Sequence, residues 1–416
     1  MTSGQFRSSA VTLRALSAKA LRPLAARRDQ ARGHLECFLY QLVAARHRRA
    51  SGALKRHLLI APPGGGNIGD QAMVESYLES VNGVVDVIVR ARSDFAEISS
   101  EAGHVTFVEM PDLIYSDGPA HLRAVGRFAG LLQDAASLAV VGADIMDGAY
   151  NTRASVRRSN LAAMGAAYGV DSRILGFSWN GTATPAALTA LKRAGRTGVR
   201  CLVRDSVSFD RATRDGLTNL RLAADTVFSL PWNEEPELPK LPDGRLALVN
   251  ASALIGRSED QSQAYVALVR HLRSLGYGVV LLPHVIRPNG DDLQELRKVC
   301  DFFEGDTEVV LVSELLRPKA VRALCSRSEL VVTGRMHLGI LALSAGIAPV
   351  IFSTQGKVEG VMKLFGLREL VVEPGPEMGA AVVAAVNLIE RDHAHYRRLV
   401  KEKLADAQRL SAVNFN

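Results

Sequence analysis

The amino-acid sequence predicts an α/β protein built of two Rossmann-like domains that face each other across a cleft. The 416-residue chain exceeds the roughly 250–300 residues that one hydrophobic core usually organises. From residue 54 onward, short β-branched runs alternate with amphipathic stretches, a pattern typical of parallel strands joined by crossover helices. The proline-rich stretch PWNEEPELPKLPDG, at 231–244, divides this alternation into two sets and predicts a linker between domains.

The division gives four predicted segments. They are a basic helical N-terminal extension at 1–53, Rossmann-like domains at 54–235 and 236–375, and a C-terminal helical segment at 376–416. Strands are predicted at 57–61, 84–89, 104–110, 138–142, 173–178, 199–204 and 220–224, and then at 245–250, 277–283, 308–312, 329–333 and 348–353. Helices are predicted between them, for example at 70–81, 154–168 and 184–195. Open α/β sheets bind ligands beyond the carboxyl ends of their strands, so we expect functional residues just after each strand.

The overall composition is that of a globular protein, with 47% hydrophobic and 22% charged residues. Four cysteines are scattered without a C-x-x-C pair, which argues against a zinc site or a disulfide framework. This cysteine usage favours a reducing compartment and predicts a cytoplasmic location. A transmembrane helix is not expected, since the sequence has no run of 18 apolar, uncharged residues.

The positive net charge of +7 is concentrated at the N-terminus. Residues 1–50 carry nine Arg and one Lys against two acidic residues, so the remainder of the chain sums to −1. A basic tail on a neutral body does not predict nucleic-acid binding. Three interpretations of the tail remain open: an import presequence, a segment lying on the anionic inner face of a membrane, and a solvated or partner-packing extension.

The loop after the first strand is rich in glycine. The stretch GGGNIGDQAM, at 64–73, contains G-x-G-x-x-G, the pattern of dinucleotide-binding loops. Asp70, however, stands at the start of the next helix, where it is expected to act as the cap and where its charge would repel a pyrophosphate unless the side chain turned away. The acidic residue expected about 20 positions later is absent. Arg90 and Arg92 stand there instead and could accept a 2′-phosphate, so an NADP-dependent oxidoreductase remains an alternative.

Charged residues also follow later strands of the first domain. Asp144 and Asp147 come at or just after the fourth strand, where they could orient sugar hydroxyls, act as a base, or cap the next helix. Arg204 ends the sixth strand in a position suited to binding a carboxylate or phosphate. Alternatively, Arg204 pairs with Asp205 at the surface.

The second domain places a basic pair at the turn between a strand and a helix. Arg335 and His337, in VVTGRMHLG, are expected to face the cleft and to serve in catalysis or ligand binding. His284 follows another strand, and Lys357 begins a late helix. Both are weaker candidates for ligand contact.

Several of these stretches resemble, in the same order, the motifs of the polysaccharide pyruvyl transferases. The resemblance spans about residues 57–370 and rests on GGGNIGDQAM, VVGADIMD, LVRDSVSF, AADTVFSL, LLPH and VVTGRMHLGILALSAGIAPVIFSTQGKVEGVMKLFGL. It implies a fold like that of the two-domain GT-B glycosyltransferases. It also implies transfer of pyruvate from phosphoenolpyruvate onto two sugar hydroxyls, which forms a cyclic ketal and releases phosphate. The chain departs from the family pattern at Gly-Ala-Asp (142–144), where three glycines are usual, and at Gln71, where an acidic residue is usual.

The resemblance also implies roles for the candidate residues. His337 would be the general acid/base, and Arg204 and Arg335 would bind phosphoenolpyruvate from opposite domains. Asp70 or Asp144 would hold or deprotonate the acceptor hydroxyl. Further contacts to phosphoenolpyruvate are expected at Asn67, His284 and Lys357. Neither a metal nor a cofactor is expected, because the arginines can neutralise the phosphate.

Three other functions remain open at this stage. A sugar-nucleotide glycosyltransferase of the same architecture would need an acid late in the second domain, for which Glu359 and Glu373 are candidates. The NADP-dependent oxidoreductase would use the glycine-rich loop. A binding or scaffold protein would keep the fold without the chemistry. The acceptor is expected to be a glycan, and the basic tail makes a lipid-linked acceptor a hypothesis.

Overall fold

A computed structural model of the chain describes residues 25–43, 45, 56–96, 98, 104–231, 236–288, 290–353 and 358–416. The strands are β1 (Arg56–Ile60), β2 (Val84–Val89), β3 (Val105–Glu109), β4 (Ala135–Val141), β5 (Asp171–Phe177), β6 (Arg200–Val203), β7 (Leu220–Leu222), β8 (Leu246–Asn250), β9 (Gly278–Leu281), β10 (Val309–Leu311), β11 (Leu330–Thr333), β12 (Pro349–Phe352) and β13 (Val371–Val372).

The helices are α1 (25–43), α2 (Ile68–Ser80), α3 (Gly118–Leu132), α4 (Thr152–Ala167), α5 (Pro185–Arg196), α6 (Ser206–Arg214), α7 (Ala253–Gly256), α8 (Ser262–Ser274), α9 (Asp292–Cys300), α10 (Pro318–Arg327), α11 (Met336–Ser344), α12 (Val358–Phe365), α13 (Met378–Arg391) and α14 (His393–Ala412). Short 3-10 turns occur at Arg92–Phe95, Pro111–Leu113, Thr226–Ser229, Asp301–Phe303 and Arg368–Leu370.

The strands form two all-parallel sheets, which confirms the predicted fold class. The first sheet has the order β3-β2-β1-β4-β5-β6-β7, and the second has the order β10-β9-β8-β11-β12-β13. Parallel sheets are covered by helices on both faces, so their strands read as continuous apolar runs; every residue of β8, LALVN, is buried. The strand order reverses between β1 and β4 in one sheet and between β8 and β11 in the other. Such switch points are where open α/β sheets bind ligands.

The C-terminal helical segment consists of α13 and α14, and its end returns to the first domain. The Ser411 hydroxyl donates to the carbonyl oxygen of Asp225 at 2.8 Å. The Asn414 side chain donates to the Ala224 carbonyl and accepts from the Gly176 amide, both at 2.9 Å. The loop after β7 is therefore fixed in part by residues that follow the second domain.

Helix α1, within the predicted basic extension, packs on the first domain. Glu36 forms a 2.8 Å ion pair with the fully buried Arg157 of α4, and the Tyr40 hydroxyl lies 2.7 Å from a ring nitrogen of His121 of α3. The rest of the predicted extension, apart from residue 45, lies outside the described residues, as do residues 232–235 of the predicted linker. Within the described parts of the chain, none of the helices combines the length and the hydrophobicity that a membrane span requires.

Candidate functional site

The carboxyl ends of the two sheets enclose a cavity of about 290 Å³. Its lining comes from the loops and helix starts after β1, β2, β3 and β4 on one side and after β8, β9 and β11 on the other. Six of the predicted site residues line it: Asn67, Asp70, Asp144, His284, Arg335 and His337. The structure therefore brings together, from both domains, most of the residues that follow strands at the two switch points.

Arg204 is the exception among the predicted residues that the structure describes. Its guanidinium is fully buried, donating from Nη1 to Asp225 at 2.9 Å and from Nε to Ser178 at 2.7 Å. It lies behind the cavity rather than at its surface, which corrects the expectation of a direct contact with a ligand. The alternative pairing with Asp205 is also wrong, since Asp205 caps α6 by accepting from the amide and hydroxyl of Ser208. Lys357, the remaining candidate, lies outside the described residues.

His337 is held between the two domains. It lies in the first turn of α11, after Arg335, whose amide donates to the Thr333 hydroxyl at 2.9 Å. Its Nε2 is 3.5 Å from Oδ2 of Asp225, which follows β7 of the first domain. The other face of the ring contacts the start of α2, where a Cβ on Gly69 would lie only 2.4 Å from Nδ1. Only glycine fits at position 69 with the imidazole in this place.

Asp225 is a functional residue that sequence reasoning missed. It is fully buried, which by itself would raise the pKa of its carboxyl. The positive charges of His337 and Arg204 and a hydrogen bond from the Val227 amide outweigh burial and hold that pKa well below its ordinary value. Asp225 is thus ionised and faces Nε2 of His337 with a negative charge. The available signal was its place in AADTVFSL, just after a strand.

The pKa of Asp70, unlike that of Asp225, is raised above its ordinary value. Burial at the start of α2, together with the negative charge of Asp144, raises its pKa to about 6, although Arg287, His337 and the Gly64 amide act against the shift. The Gly64 amide donates to Oδ2 of Asp70 at 3.1 Å. A carboxyl that titrates near neutrality inside a cavity is suited to taking up and returning a proton.

Arg335 is fixed by a second buried carboxylate, Asp292 at the start of α9, which sequence reasoning also missed. Its guanidinium donates to Asp292 from Nε at 3.1 and 3.2 Å and from Nη2 at 2.6 Å. Asp292 accepts in addition from the amides of Ala253, His284 and Val285. A single carboxylate therefore organises three segments of the second domain around the cavity and fixes the guanidinium of Arg335, which lines it.

His284 contributes a neutral imidazole. The side chain is buried, and neither ring nitrogen has a hydrogen-bond partner within the described structure. Burial lowers its pKa well below the ordinary value, and the positive charges of His337 and Arg335 lower it further. A buried, unpartnered polar ring that lines a cavity is available to a ligand.

On the first-domain side, Asp144 and Tyr150 form a pair at the cavity. A hydrogen bond links their side chains, and partial burial and the charge of Asp144 raise the pKa of the Tyr150 hydroxyl. Ala143 has a φ of 45°, a left-handed conformation that favours glycine, in the place where the resembled family usually has glycine. Asp147 lies apart from the cavity, fully buried and accepting from the Ala149 amide at 2.9 Å.

The backbone of the glycine-rich loop forms hydrogen bonds with other parts of the protein. The Gly65 amide donates to the Asp94 carbonyl at 3.1 Å, while the Gly66 carbonyl accepts from Ile286 of the second domain at 2.9 Å. The Ile68 amide in turn donates to the His284 carbonyl at 3.2 Å, and an isolated antiparallel bridge joins Asn67 to Val285. The loop thus connects the two domains instead of presenting its amides to a pyrophosphate.

The two arginines considered for a 2′-phosphate are likewise engaged. Arg90 forms an ion pair with Asp94 at 2.8 Å. Arg92 donates to the carbonyls of Phe95 and Ile98 and stacks on the Phe107 ring at 3.9 Å. The geometry gives no support to the NADP alternative. Across the described residues, no three His, Cys, Asp or Glu side chains are grouped as metal ligands.

Comparisons with known proteins agree with this architecture. The family model described as polysaccharide pyruvyl transferase matches residues 67–356, more than half of the chain. No curated protein sequence matches the chain.

Solved structures resemble it in fold. The UDP-GlcNAc 2-epimerase from Neisseria meningitidis bound to UDP-GlcNAc has a TM-score of 0.56 at 10% identity, covering 86% of this chain and 98% of that one. A UDP-glucosyltransferase from Polygonum tinctorium has a TM-score of 0.55 at 13% identity, covering 88% and 98%. A glycosyltransferase from Rickettsia africae has a TM-score of 0.52 at 10% identity, covering 87% and 94%. The likeness shows a GT-B fold and nothing about the substrate.

Proposed function

Because the chain belongs to the polysaccharide pyruvyl transferase family, we propose that it moves pyruvate from phosphoenolpyruvate onto two hydroxyls of a glycan. The products would be a cyclic ketal and inorganic phosphate. The observation that carries the proposal is the buried Asp225–His337 pair, which joins the two domains beside the Asp292-bound Arg335. That arrangement places an imidazole that could donate a proton next to a fixed cation, as a phosphorylated enol requires.

Phosphoenolpyruvate carries a carboxylate and a phosphate, so its site needs cations and hydrogen-bond donors. Arg335 and Arg287 both line the cavity from the second domain and would bind these groups. The neutral His284 would donate a further hydrogen bond. Arg204 would act through Asp225 rather than on the ligand. In this proposal the two arginines neutralise the charge of the phosphate.

The first step would be protonation of the donor's methylene carbon by the His337 imidazolium, which turns that carbon into a methyl group. The neighbouring carbon then becomes an oxocarbenium-like centre, and the first acceptor hydroxyl adds to it. Asp70, whose pKa is about 6, would take the proton of that hydroxyl. Asp144 and Tyr150 would orient the acceptor.

The second step would close the ketal. The bond from the central carbon to the phosphate oxygen breaks, the phosphate leaves with the proton held by Asp70, and the second hydroxyl attacks. The neutral imidazole of His337 takes the proton of that hydroxyl and is ready for the next donor. One proton has moved to carbon and one to phosphate, so the protons of the two hydroxyls are accounted for.

The sugar-nucleotide glycosyltransferase alternative has the support of the fold alone. The acidic residues considered for its donor ribose, Glu359 on α12 and Glu373 after β13, do not line the cavity described above.

The proposal is tested by incubating the protein with phosphoenolpyruvate and a panel of oligomeric and lipid-linked glycans. Phosphate release and the mass of the pyruvate adduct are measured together. His337→Ala should abolish both signals. His395→Ala, on α14 and outside the cavity lining, is the matched control and should leave them unchanged. Binding of nucleotide sugars without any phosphate release from phosphoenolpyruvate would refute the proposal.

A further inference from the structure

Helix α1 has two different faces. Gly33, Cys37 and Tyr40 are buried against the first domain. Leu35, Phe38 and Leu42 point away from it and are 59%, 56% and 46% exposed. Their spacing of three and four residues places the three side chains along one stripe of the helix.

This stripe is unusual within the molecule. Seven large hydrophobic side chains are exposed among the described residues, and three of them belong to this one helix of 19 residues. An exposed row of large apolar side chains on a helix that is already anchored by its opposite face marks an interaction surface.

The charge around the stripe identifies the partner. Arg27 and Arg28 lie exposed near the start of α1, and the Arg28 side chain is 83% exposed. Residues 1–50 carry ten basic and two acidic residues in total, whereas the rest of the chain is close to neutral. Leu and Phe on one side of a helix and arginines around them are the composition of helices that lie in the interface of an anionic bilayer.

The position of α1 connects this surface to the cavity. Arg32 of α1 and Arg153 of α4 both bond to Asp117, at the start of α3. Immediately before α4, Tyr150 and Asn151 line the cavity. The first turn of α4 is thus linked through Asp117 to α1 on one side and adjoins the proposed acceptor site on the other.

We propose that α1 is a membrane-docking helix, with Leu35, Phe38 and Leu42 inserted among the headgroups of an anionic bilayer and the arginines on its phosphates. Docking would hold the cavity beside glycans that are attached to membrane lipids. That use of the surface rests on the proposed function, whereas docking itself does not.

The test is co-sedimentation of the full chain with vesicles of phosphatidylcholine alone and of phosphatidylcholine mixed equally with phosphatidylglycerol. The wild-type chain should bind the anionic vesicles and lose binding as salt is raised. The triple variant Leu35→Ser/Phe38→Ser/Leu42→Ser should bind about tenfold more weakly or worse. Phe302→Ser, which removes an equally exposed phenylalanine from the second domain, is the matched control and should bind normally.

Circular dichroism and pyruvyl transfer to a soluble acceptor accompany these measurements. A triple variant that is folded, keeps full transfer activity and no longer binds anionic vesicles supports the proposal. Loss of vesicle binding supports docking by α1 even if no pyruvyl transfer is ever detected. Equal binding of the variant and the wild type would overturn it. Failure of the wild-type chain to bind anionic vesicles would also overturn it. So would a wild-type dimer that the triple substitution converts to monomers, because the stripe would then join two copies of the chain.

Discussion

Asp70 illustrates how a single buried carboxyl couples acid–base capacity to stability. Its pKa of about 6 in the folded protein exceeds the ordinary value of 3.8, so the folded state holds the proton more tightly than the unfolded chain. Stability is therefore greatest below the lower value and declines as the pH rises through about 6. The difference between these two pKa values corresponds to about 3 kcal/mol of unfolding free energy. This contribution is lost above neutrality.

Asp70→Asn should therefore stabilise the protein while it slows the reaction. We expect the free energy of unfolding to rise by up to about 3 kcal/mol at about pH 7.5 and to change little at about pH 4. Denaturant unfolding at the two pH values measures this, and pyruvyl transfer should fall in the same variant. Asp301→Asn, at an exposed carboxyl, should change stability by less than about 0.5 kcal/mol. A variant less stable than the wild type near neutrality would contradict the argument.

Asp225→Asn tests the pair that joins the domains. The amide keeps the size of the side chain but removes the carboxylate that faces and orients the His337 ring, so we expect kcat to fall by about a hundredfold or more with a small change in KM. Steady-state kinetics are measured well below the unfolding temperature, because Arg204 is left without its carboxylate. Asp306→Asn, which removes an ion pair with Arg273, is the control. An equal loss of kcat in both variants would show a general effect of removing a negative charge and no specific role for Asp225.

At this scale the sequence predicted the positions after strands but not the directions of side chains. Arg335 and His337 could be found because they follow β11 and face the switch point. Arg204 also follows its strand, yet its side chain points inward to Asp225. The hydrophobic pattern of the sequence does not predict that side-chain direction. Asp225 and Asp292 owe their importance to partners 112 and 43 residues away, His337 and Arg335, and such pairings arise only when the chain is folded.

Among the elements, the loop between β1 and α2 is the one whose interpretation changed most. Its glycines match a cofactor fingerprint, but Gly66 has a φ of 72° and a Cβ there would lie 2.0 Å from the Ile286 carbonyl. Glycine is thus required for the backbone bridge to the second domain. By contrast, the strands were predictable because parallel strands buried on both faces form continuous apolar runs.

Gly66→Ala should break the bridge between the domains. The change strains a positive φ, at a cost of about 1–2 kcal/mol, and also forces the Ile286 carbonyl away. Gly118→Ala is a matched control, because Gly118 has a φ of 63° with open space around it. We expect both variants to lose thermal stability, but only Gly66→Ala to raise the KM for phosphoenolpyruvate. Identical kinetics in the two variants would show that the backbone bridge does not affect the binding of phosphoenolpyruvate.

On the scale of the whole molecule, the site depends on the return of the C-terminal segment to the first domain. Asn414→Ala would leave the Gly176 amide and the Ala224 carbonyl without their partner, at about 1–3 kcal/mol for each buried group. We expect a lower unfolding temperature and a lower kcat, since the loop carrying Asp225 is loosened. Asn387→Ala, which removes a hydrogen bond to His271 in the second domain, should lower stability without that loss of kcat.

The return of α14 also bears on the order in which the protein is made. The sheet that carries Asp225 is complete in sequence early, but the Ser411 hydroxyl that holds the Asp225 carbonyl is added 186 residues later. A nascent chain leaving the ribosome can fold its first domain while the carboxylate that supports His337 still lacks its final anchor. The anchoring of the loop that carries Asp225 is therefore complete only when α14 has docked on the first domain.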